Sequence, residues 1–363
     1  MRFMMIGGFL GAGKTTTIAR LAAHYQSQGN QVGIVTNDQA NDLVDTLSLR
    51  SQGFDVGEVA GACFCCNFND LTATISQLSE HQRPDIVIAE PVGSCTDLVA
   101  TVVQPMMHLH RGDFSMAPFG VILKPSHGRK ILGGRHVGFS PKAAYIFLKQ
   151  LEEADFAIIN QIDQLGQEEI EELAQLVGRK FPETPLLKIS AKTGKGFDEL
   201  VEMLARDGNV GTNILDIDYD VYAAGEAELG WLNLAMKLRA ESPVDLDAVT
   251  LAMVAAIHQQ LPAGAEVAHL KVLSVWDGAH AVANLTASEA QPVLSLSADR
   301  NTTQADLVVN ARVAMDPDHL AQIVQQAIEA CRQQFQIDLA VVNLQHFRPG
   351  RPVPTHRYPL PKP

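Results

Sequence analysis

The first 205 residues alternate short, continuously apolar runs with segments whose apolar positions recur every three or four residues. The runs Arg2–Ile6, Gln31–Thr36, Asp85–Ala89, Phe119–Leu123, Phe156–Asn160 and Leu186–Ser190 mostly lack the in/out alternation of a half-exposed strand. They predict parallel strands covered on both faces. Between them, Lys14–Gln28, Asp70–Glu80, Pro141–Glu153, Glu168–Lys180 and Gly196–Arg206 carry helical patterns. Regular strand–helix alternation predicts a doubly wound, mostly parallel α/β sheet.

The pattern then changes. Asp207 to Gly225 contains Gly, Asn and the spaced acids Asp216, Asp218 and Asp220, and reads as a linker. Beyond it, Leu246, Val249, Met253, Ile257 and Leu261 share one helical face within 245–261. Strand-like stretches follow at Leu270–Trp276, Ala281–Thr286, Val293–Ser297 and Asp306–Val313, and a second amphipathic helix opens after Asp316-Pro317, a cap-like start. The expected organisation is an α/β domain over 1–206, a linker and connecting segment over 207–244, and a smaller α+β domain over 245–340. An extended, Pro-rich, basic tail over 341–363 completes it.

The chain's 363 residues suit two domains, and 28 basic against 41 acidic residues give a net charge of −13. That balance disfavours a generic nucleic-acid or anionic-membrane binder, because phosphate surfaces attract Lys/Arg stripes. It leaves room for a single nucleotide held by a local loop. No apolar run reaches the roughly 18 residues of a membrane helix. The apolar start, Met1 to Leu10, runs into Gly-rich sequence without a small-residue cleavage site and reads as a buried strand. Five cysteines, an odd number, argue against a disulfide framework, and a cytoplasmic, reducing setting is expected.

The strongest chemical signal is Gly8-Phe-Leu-Gly11-Ala12-Gly13-Lys14-Thr15, which fits G-x4-G-K-[ST] between a strand and a helix. Glycines let backbone N–H groups turn inward around phosphate oxygens. Lys14 then reaches the β/γ-phosphates, and the Thr15 hydroxyl ligates Mg²⁺. Ile86-Val-Ile-Ala-Glu90-Pro-Val-Gly93 ends an apolar strand in an acid, with glycine three positions on. Glu90 can hold Mg²⁺ or its water, and the Gly93 N–H can touch a γ-phosphate; the bland alternative is an acid capping the next helix. Asp38, after Asn37 at another strand end, either orients Mg²⁺ or the attacking water or caps a turn. Asn160-Gln161-Ile-Asp163 can read guanine, since a carboxylate accepts from N1–H and N2–H and adenine offers neither. Ser190-Ala191-Lys192 supplies backbone N–H groups for guanine O6.

Gly61-Ala-Cys63-Phe-Cys65-Cys66 places three thiols in four positions. They suit a Zn²⁺ or Cu(I)-type site, with Co²⁺ or Ni²⁺ also admitted and the fourth position left for water or a partner's side chain. Buried structural cysteines and a redox pair are the alternatives. Cys95 follows the Glu90–Gly93 turn closely enough to approach this site, whereas Cys331 lies on an apolar helical face and reads as core. His108, His110, His346 and His356 are scattered: the first two could chelate and the last two could supply ligands, but packing or solvated roles are expected.

Together these motifs resemble the CobW/HypB/UreG family of P-loop GTPases, in its CobW-like branch. The resemblance rests on Gly7 through Thr17 (Thr16 included), the Cys63–Cys66 motif, Glu90-Pro-Val-Gly93, Gln150 through Asp155, Asn160 through Asp163 and Ser190 through Gly194. It covers roughly residues 1–205. It implies a P-loop NTPase fold with a smaller C-terminal α+β domain. It also implies GTP and Mg²⁺ as ligands, and GTP hydrolysis by a site that includes Lys14, Asp38, Glu90 and Gly93. That hydrolysis would be coupled to delivery of Zn²⁺ or Co²⁺ to a client metalloprotein, with dimerisation in the nucleotide-bound state. Gln161 departs from the usual Asn-Lys-x-Asp, which removes a charge beside the base. Three other readings are a GTPase that loads a corrinoid-type cofactor into a partner enzyme, a nucleotide-gated metal-binding module, and a small-molecule kinase. The kinase would need an Arg-rich lid, and only Arg111, Arg129 and Arg135 are scattered in that stretch.

Overall fold

The computed structural model of the chain describes residues 1–37, 44–81, 83–134, 140–285 and 287–360. Asp38, Arg135 and Thr286 lie outside these. In chain order the elements begin with β1 (Arg2–Gly8), α1 (Lys14–Ser27), β2 (Val32–Asn37), α2 (Val44–Ser51), β3 (Asp55–Val59), α3 (Phe68–His81) and β4 (Ile86–Glu90). A π-turn over Val99–Val103 leads into α4 (Gln104–Leu109), then β5 (Ser115–Met116), β6 (Gly120–Leu123), α5 (Pro125–Leu132) and α6 (Pro141–Glu153). There follow β7 (Phe156–Ile159), α7 (Gln167–Lys180), β8 (Leu186–Lys188), α8 (Phe197–Ala205), α9 (Tyr219–Glu226), β9 (Gly230–Asp245) and α10 (Leu246–Gln260). The chain ends through β10 (Val267–Trp276), β11 (Ala279–Leu285), β12 (Val293–Leu296), β13 (Asn301–Val313), α11 (Pro317–Phe335) and β14 (Ile337–Phe347).

Two compact units result. One comprises 1–39, 54–225 and 351–363; the other comprises 40–53 and 226–350.

The first unit is built on a parallel sheet of order β3-β2-β4-β1-β6-β7-β8, with β5 also pairing with β1. β4, β6 and β7 are buried along their whole length, and β1 from its second residue onward. Covering on both faces is why these strands read as unbroken apolar runs. Because β1 lies between β4 and β6, the strand order reverses at its carboxyl end, where ligands collect in open α/β sheets. Ser140 caps α6 by accepting from the Lys142 and Ala143 N–H groups, with Pro141 in the first turn.

The second unit is an antiparallel sheet of order β12-β11-β10-β13-β9-β14. Leu246, Val249, Met253 and Ile257 of α10 and Leu320, Val324, Ala327 and Cys331 of α11 join Leu234, Val272 and Val309 in its core. Asp316 caps α11 through the Asp318 and His319 N–H groups, the cap-like start seen in the sequence. The opposite sheet face carries Leu273, Val282 and Val308, with Leu47 of α2 against them. Lys271 on β10 pairs with Asp45 of α2.

Three segments depart from the organisation expected of the sequence. Residues 40–53, expected within the 1–206 domain, belong to the second unit. The stretch 207–244, read as a linker, holds α9 and most of β9, the 16-residue strand at Gly230–Asp245. The aspartates of 207–225 set a polar expectation that the period-two pattern Leu232-Asn-Leu234-Ala-Met236-Lys-Leu238 overrides. Residues 341–347, read as tail, finish β14, an edge strand whose outer face stays open. Among the described residues no helix is long and apolar enough to cross a membrane.

Candidate nucleotide and metal site

The carboxyl ends of β1, β2, β4, β7 and β8 carry Gly8, Asn37, Glu90, Asn160 and Ser190 respectively, or lead directly into them. Parallel strands therefore bring motifs 180 residues apart in sequence to one rim of the sheet. The loop from Gly8 to Thr15 uses glycines for two distinct reasons. At Gly13, φ is +91° and a Cβ would stand 2.4 Å from the Asn160 amide nitrogen; at Gly8, φ is +135° and a Cβ would meet the Ile122 carbonyl at 2.2 Å. Neither position accepts a side chain. Lys14 and Thr15 open α1, so the helix N-terminus faces the loop.

The Thr15 hydroxyl donates to Glu90 Oε1 at 3.0 Å. Two oxygens that are cis ligands of one octahedral Mg²⁺, each at 2.0–2.1 Å, stand about 2.9 Å apart. This pair thus fits that ion without rearrangement. A Cβ on Gly93 would lie 2.7 Å from Leu10 Cδ2 and 3.1 Å from the Leu10 nitrogen, so the turn after β4 rests against the phosphate loop. The amide nitrogen of Gln150, on α6, fixes that turn by donating to the Gly93 carbonyl at 3.0 Å and the Cys95 carbonyl at 2.8 Å.

The residues expected to read a base brace the same loop. Asn160 Nδ2 donates to the Ala12 carbonyl at 2.8 Å, and Asn160 Oδ1 accepts from the Ala191 N–H at 3.0 Å. Gln161, in the left-handed region at φ +62°, reaches the Gly11 carbonyl at 3.5 Å. The Ser190 hydroxyl donates to Asp163 Oδ1 at 2.6 Å and orients a carboxylate that is otherwise open to solvent. Arg20 of α1 donates to the carbonyls of Ala191 and Lys192, at 2.7 and 2.8 Å, and holds that loop to the helix. Thr16 is exposed beside Thr15.

The thiols form one cluster. Sγ separations are 2.9 Å for Cys63–Cys65, 3.4 Å for Cys63–Cys66 and 3.7 Å for Cys65–Cys66. Sulfurs on a tetrahedral Zn²⁺ with bonds of about 2.3 Å lie about 3.8 Å apart. The Cys65–Cys66 separation already matches and the other two need to open. Cys63 and Cys65 are buried and Cys66 is half-buried. The Cys66 and Asn67 N–H groups both donate to the Cys63 carbonyl at 2.9 Å, which curls the motif into the start of α3. Thiol hydrogen bonds from Cys65, Cys66 and Cys95 hold the Cys63 thiol well below the ordinary range. The same contact with Cys63 drives Cys65 well up and raises Cys66 to about 11. The cluster thus stabilises a thiolate at Cys63, the form that binds metal.

Three contributions escaped the sequence reading. Asn37, at the end of β2, donates from Nδ2 to the carbonyls of Val59 and Ala62 at 2.9 and 2.8 Å, and its Oδ1 accepts from the Phe64 N–H at 2.8 Å. It ties the strand before Asp38 to the thiol loop. The tail forms a strap: the Val353 N–H donates to Cys66 Sγ at 3.3 Å, and Thr355 donates to the carbonyls of Cys65 and Cys66 at 2.8 and 2.7 Å. His356 packs edge-on against Phe68, and Arg357 pairs at 2.7 Å with Asp97, which burial pushes up. The strand-end asparagine was the one available signal for the first; nothing local marks the other two. The remaining histidines pack or pair. His108 Nδ1 donates to the Gln104 carbonyl at 2.8 Å and its ring stacks on Tyr358, His110 lies beside Phe68 and Phe114, and His346 pairs with Asp318 in the second unit.

Comparison with known proteins matches the nucleotide-binding domain profile of the CobW/HypB/UreG family over residues 2–188. The urease accessory protein UreG of Metallosphaera sedula is 27% identical over 213 residues, covering 54% of this chain and 90% of that protein. The zinc chaperone YeiR of Escherichia coli is 32% identical over 93 residues, covering 25% of this chain but only 28% of YeiR. Zn(II)-bound YjiA GTPase from E. coli is 13% identical over 90% of this chain and 98% of its own, with a TM-score of 0.40. With more than half its length matched, from β1 through β8, the chain belongs to the CobW/HypB/UreG family.

Proposed function

We propose that the chain is a GTP-hydrolysing metallochaperone, in which the nucleotide site sets the geometry of the thiol cluster and a transition metal, Zn²⁺ or Co²⁺, is cargo for a client protein. The observation that carries this reading is the shared framework. The Cys63–Cys66 loop hangs from Asn37 at the end of β2, and the Glu90–Gly93 turn rests on the phosphate loop.

Gly8–Gly13 would cradle the phosphates with backbone N–H groups, and Lys14 would neutralise charge building on the β/γ oxygens during transfer to water. Thr15 and Glu90 would hold Mg²⁺, which supplies further charge neutralisation at the phosphates. Asp38 is the candidate to orient the attacking water. Asp163, held by Ser190, would accept from guanine N1–H and N2–H. A base lacking those donors would leave a desolvated carboxylate unpaired, which is costly. Gly93 and Asn37 would register the γ-phosphate and its loss, and the thiol loop would change shape with them. Family kinship and the names of relatives such as YeiR support the metal cargo.

The test is one Zn²⁺ titration of the full chain against a chromophoric chelator, run in parallel with GDP–Mg²⁺ and a non-hydrolysable GTP analogue–Mg²⁺. Binding near one equivalent, with affinity that moves between nucleotides, is expected. Equal affinity in both states refutes the coupling.

A further inference from the structure

We propose that residues 351–358 are a displaceable strap, a peptide ligand carried by the chain itself, and that the acidic groove beneath it takes an extended, basic segment of the client when metal is handed over. The proposal rests on the metallochaperone reading and names where the client docks.

The tail is held as a bound peptide is held, through its main chain and two cations. The Thr355 N–H donates to the Cys65 carbonyl at 2.8 Å, and the Thr355 hydroxyl to the Cys66 carbonyl at 2.7 Å. The Val353 N–H donates to Cys66 Sγ at 3.3 Å, and the Tyr358 N–H to the Ala100 carbonyl, in the π-turn, at 2.9 Å. Arg351 Nε donates to Asp220 at 2.8 Å. Arg357 donates to Asp97 at 2.7 Å and to the Leu215 carbonyl at 2.8 Å. Residues 352, 354, 356 and 358 are less exposed than 353, 355 and 357, the period-two pattern of an extended segment lying on a surface.

The receiving side is built for a cation. Asp97 is 1% exposed and adopts a left-handed backbone, φ +67°, an unfavourable combination for a charged residue with a side chain. Tyr219 donates to its Oδ2 at 2.7 Å, while Oδ1 has no hydrogen-bond partner among the described residues. Arg357 is the cation that offsets this buried charge. Asp216, Asp218 and Asp220 follow Leu215 within five residues, so the arginines of the tail meet a segment of opposite charge.

The strap is held lightly for what it covers. Pro352 is its one buried residue, and Val353 is 72% exposed. The Arg351–Asp220 pair is open to solvent, where ion pairs contribute little. Such a segment opens locally at a cost well below that of unfolding the unit. Cys63 and Cys65 are buried and Cys66 is half-buried, so a client's ligand approaches the thiols past Cys66, under Val353 and Thr355. Exchange of metal with a client therefore requires the strap to leave, and the donors and acceptors it vacates are those an incoming extended segment would use.

The first test is the alkylation rate of each cysteine in the metal-free full chain, with a bulky maleimide and residue-by-residue mass mapping. Thr355→Val removes one neutral hydrogen bond and should speed Cys66 about 5-fold. Arg357→Met removes a charge-assisted pair, about twice as strong, and should speed it about 25-fold. Cys95, 1% exposed in the same unit, should keep its rate. The second test adds a synthetic peptide with the sequence of residues 351–358 to Arg357→Met. A strap that stays closed at a tethered concentration in the mM range implies an intrinsic dissociation constant of about 1 mM or tighter. The peptide should bind in that range and slow Cys66 alkylation, and the same peptide with both arginines replaced by glutamate should do neither. Unchanged Cys66 rates in both variants, or equal acceleration at Cys95, which marks opening of the whole unit, overturns the strap. A peptide that does not bind, or that binds equally with glutamates, overturns the groove. Should Arg357→Met fail to fold, the near-isosteric Thr355→Val carries both tests. Neither test uses zinc, so a chain that binds no zinc overturns the metallochaperone reading separately.

Discussion

Asn37→Ala isolates the link between the end of β2 and the thiol loop. The side chain makes three hydrogen bonds, to the Val59 and Ala62 carbonyls and from the Phe64 N–H, all at 2.8–2.9 Å and in a nearly water-free setting. Truncation leaves three backbone groups without this partner. At roughly 1 kcal/mol net per bond the expected loss is about 3 kcal/mol in the first unit, or about 10²-fold in its folding constant. With a urea m-value of about 3 kcal/mol per molar, the midpoint should fall by about 1 M. Asn37→Asp should be little better, because a carboxylate keeps the Phe64 bond but sets negative charge against two carbonyls. A second readout separates stability from mechanism. The visible d–d band of bound Co²⁺ should respond to exchange of GDP for a GTP analogue in wild type and lose that response in Asn37→Ala, while one equivalent still binds at low temperature. A midpoint change worth less than about 0.5 kcal/mol, the range of an ordinary surface substitution, would refute the energetic argument. An intact nucleotide response would refute the mechanical one.

Two further outcomes follow from buried charge. Burial, with Asp97 adding repulsion, raises Glu153 to about 8 from an ordinary 4.5. Between those values the folded state holds a proton the unfolded state has released, so this group's contribution is full below 4.5 and declines by about 1.4 kcal/mol per pH unit as pH rises through 8. Chemical denaturation from pH 5 to 8 should therefore show wild type losing stability relative to Glu153→Gln; parallel profiles would contradict the assignment. Arg357→Met removes the partner of Asp97, which keeps its bond from the Tyr219 hydroxyl. Because the arginine is one-third exposed, a loss of about 2 kcal/mol is expected, below the full cost of stranding a buried charge. Adding Asp97→Asn should recover most of it. Cys66 should also react faster with a thiol reagent in Arg357→Met, since the strap is held less firmly.

How much of this was legible in the sequence depended on what each residue's neighbours were. β1, β4, β6 and β7 could be read because strands buried on both faces are apolar at every position. The phosphate loop could be read because its glycines are demanded by backbone conformation and by close approach, as at Gly13 against Asn160. The helix α2 could not: its eight residues carry Leu47 and Leu49 amid polar neighbours, and its apolar contacts are with strands more than 200 residues on. Asn37 was visible only as a strand-end residue, because its bonds go to carbonyls 22 and 25 positions away. The strap is the extreme case, with Val353 meeting Cys66 across 287 residues. Proline and charge in the tail described an extended, basic chain without marking the thiol loop as what it would cover.

The passage of the chain between its two units bears on how the protein can be cut. It crosses from one to the other after residues 39, 53, 225 and 350. A gene fragment ending at the last helix of the parallel-sheet unit, near residue 206, would retain α2 yet discard the sheet that buries Leu47 and the lysine that pairs with Asp45. It would discard the strap as well, leaving the sulfur of Cys66 without the Val353 N–H. The phosphate-loop piece and the intact thiol cluster therefore cannot be separated cleanly by one scission, and a fragment expressed to study nucleotide binding alone would also be a fragment with an altered thiol loop. Selection meets the same constraint: the small sheet cannot be lost or exchanged as a module without rewriting the loop between β2 and β3.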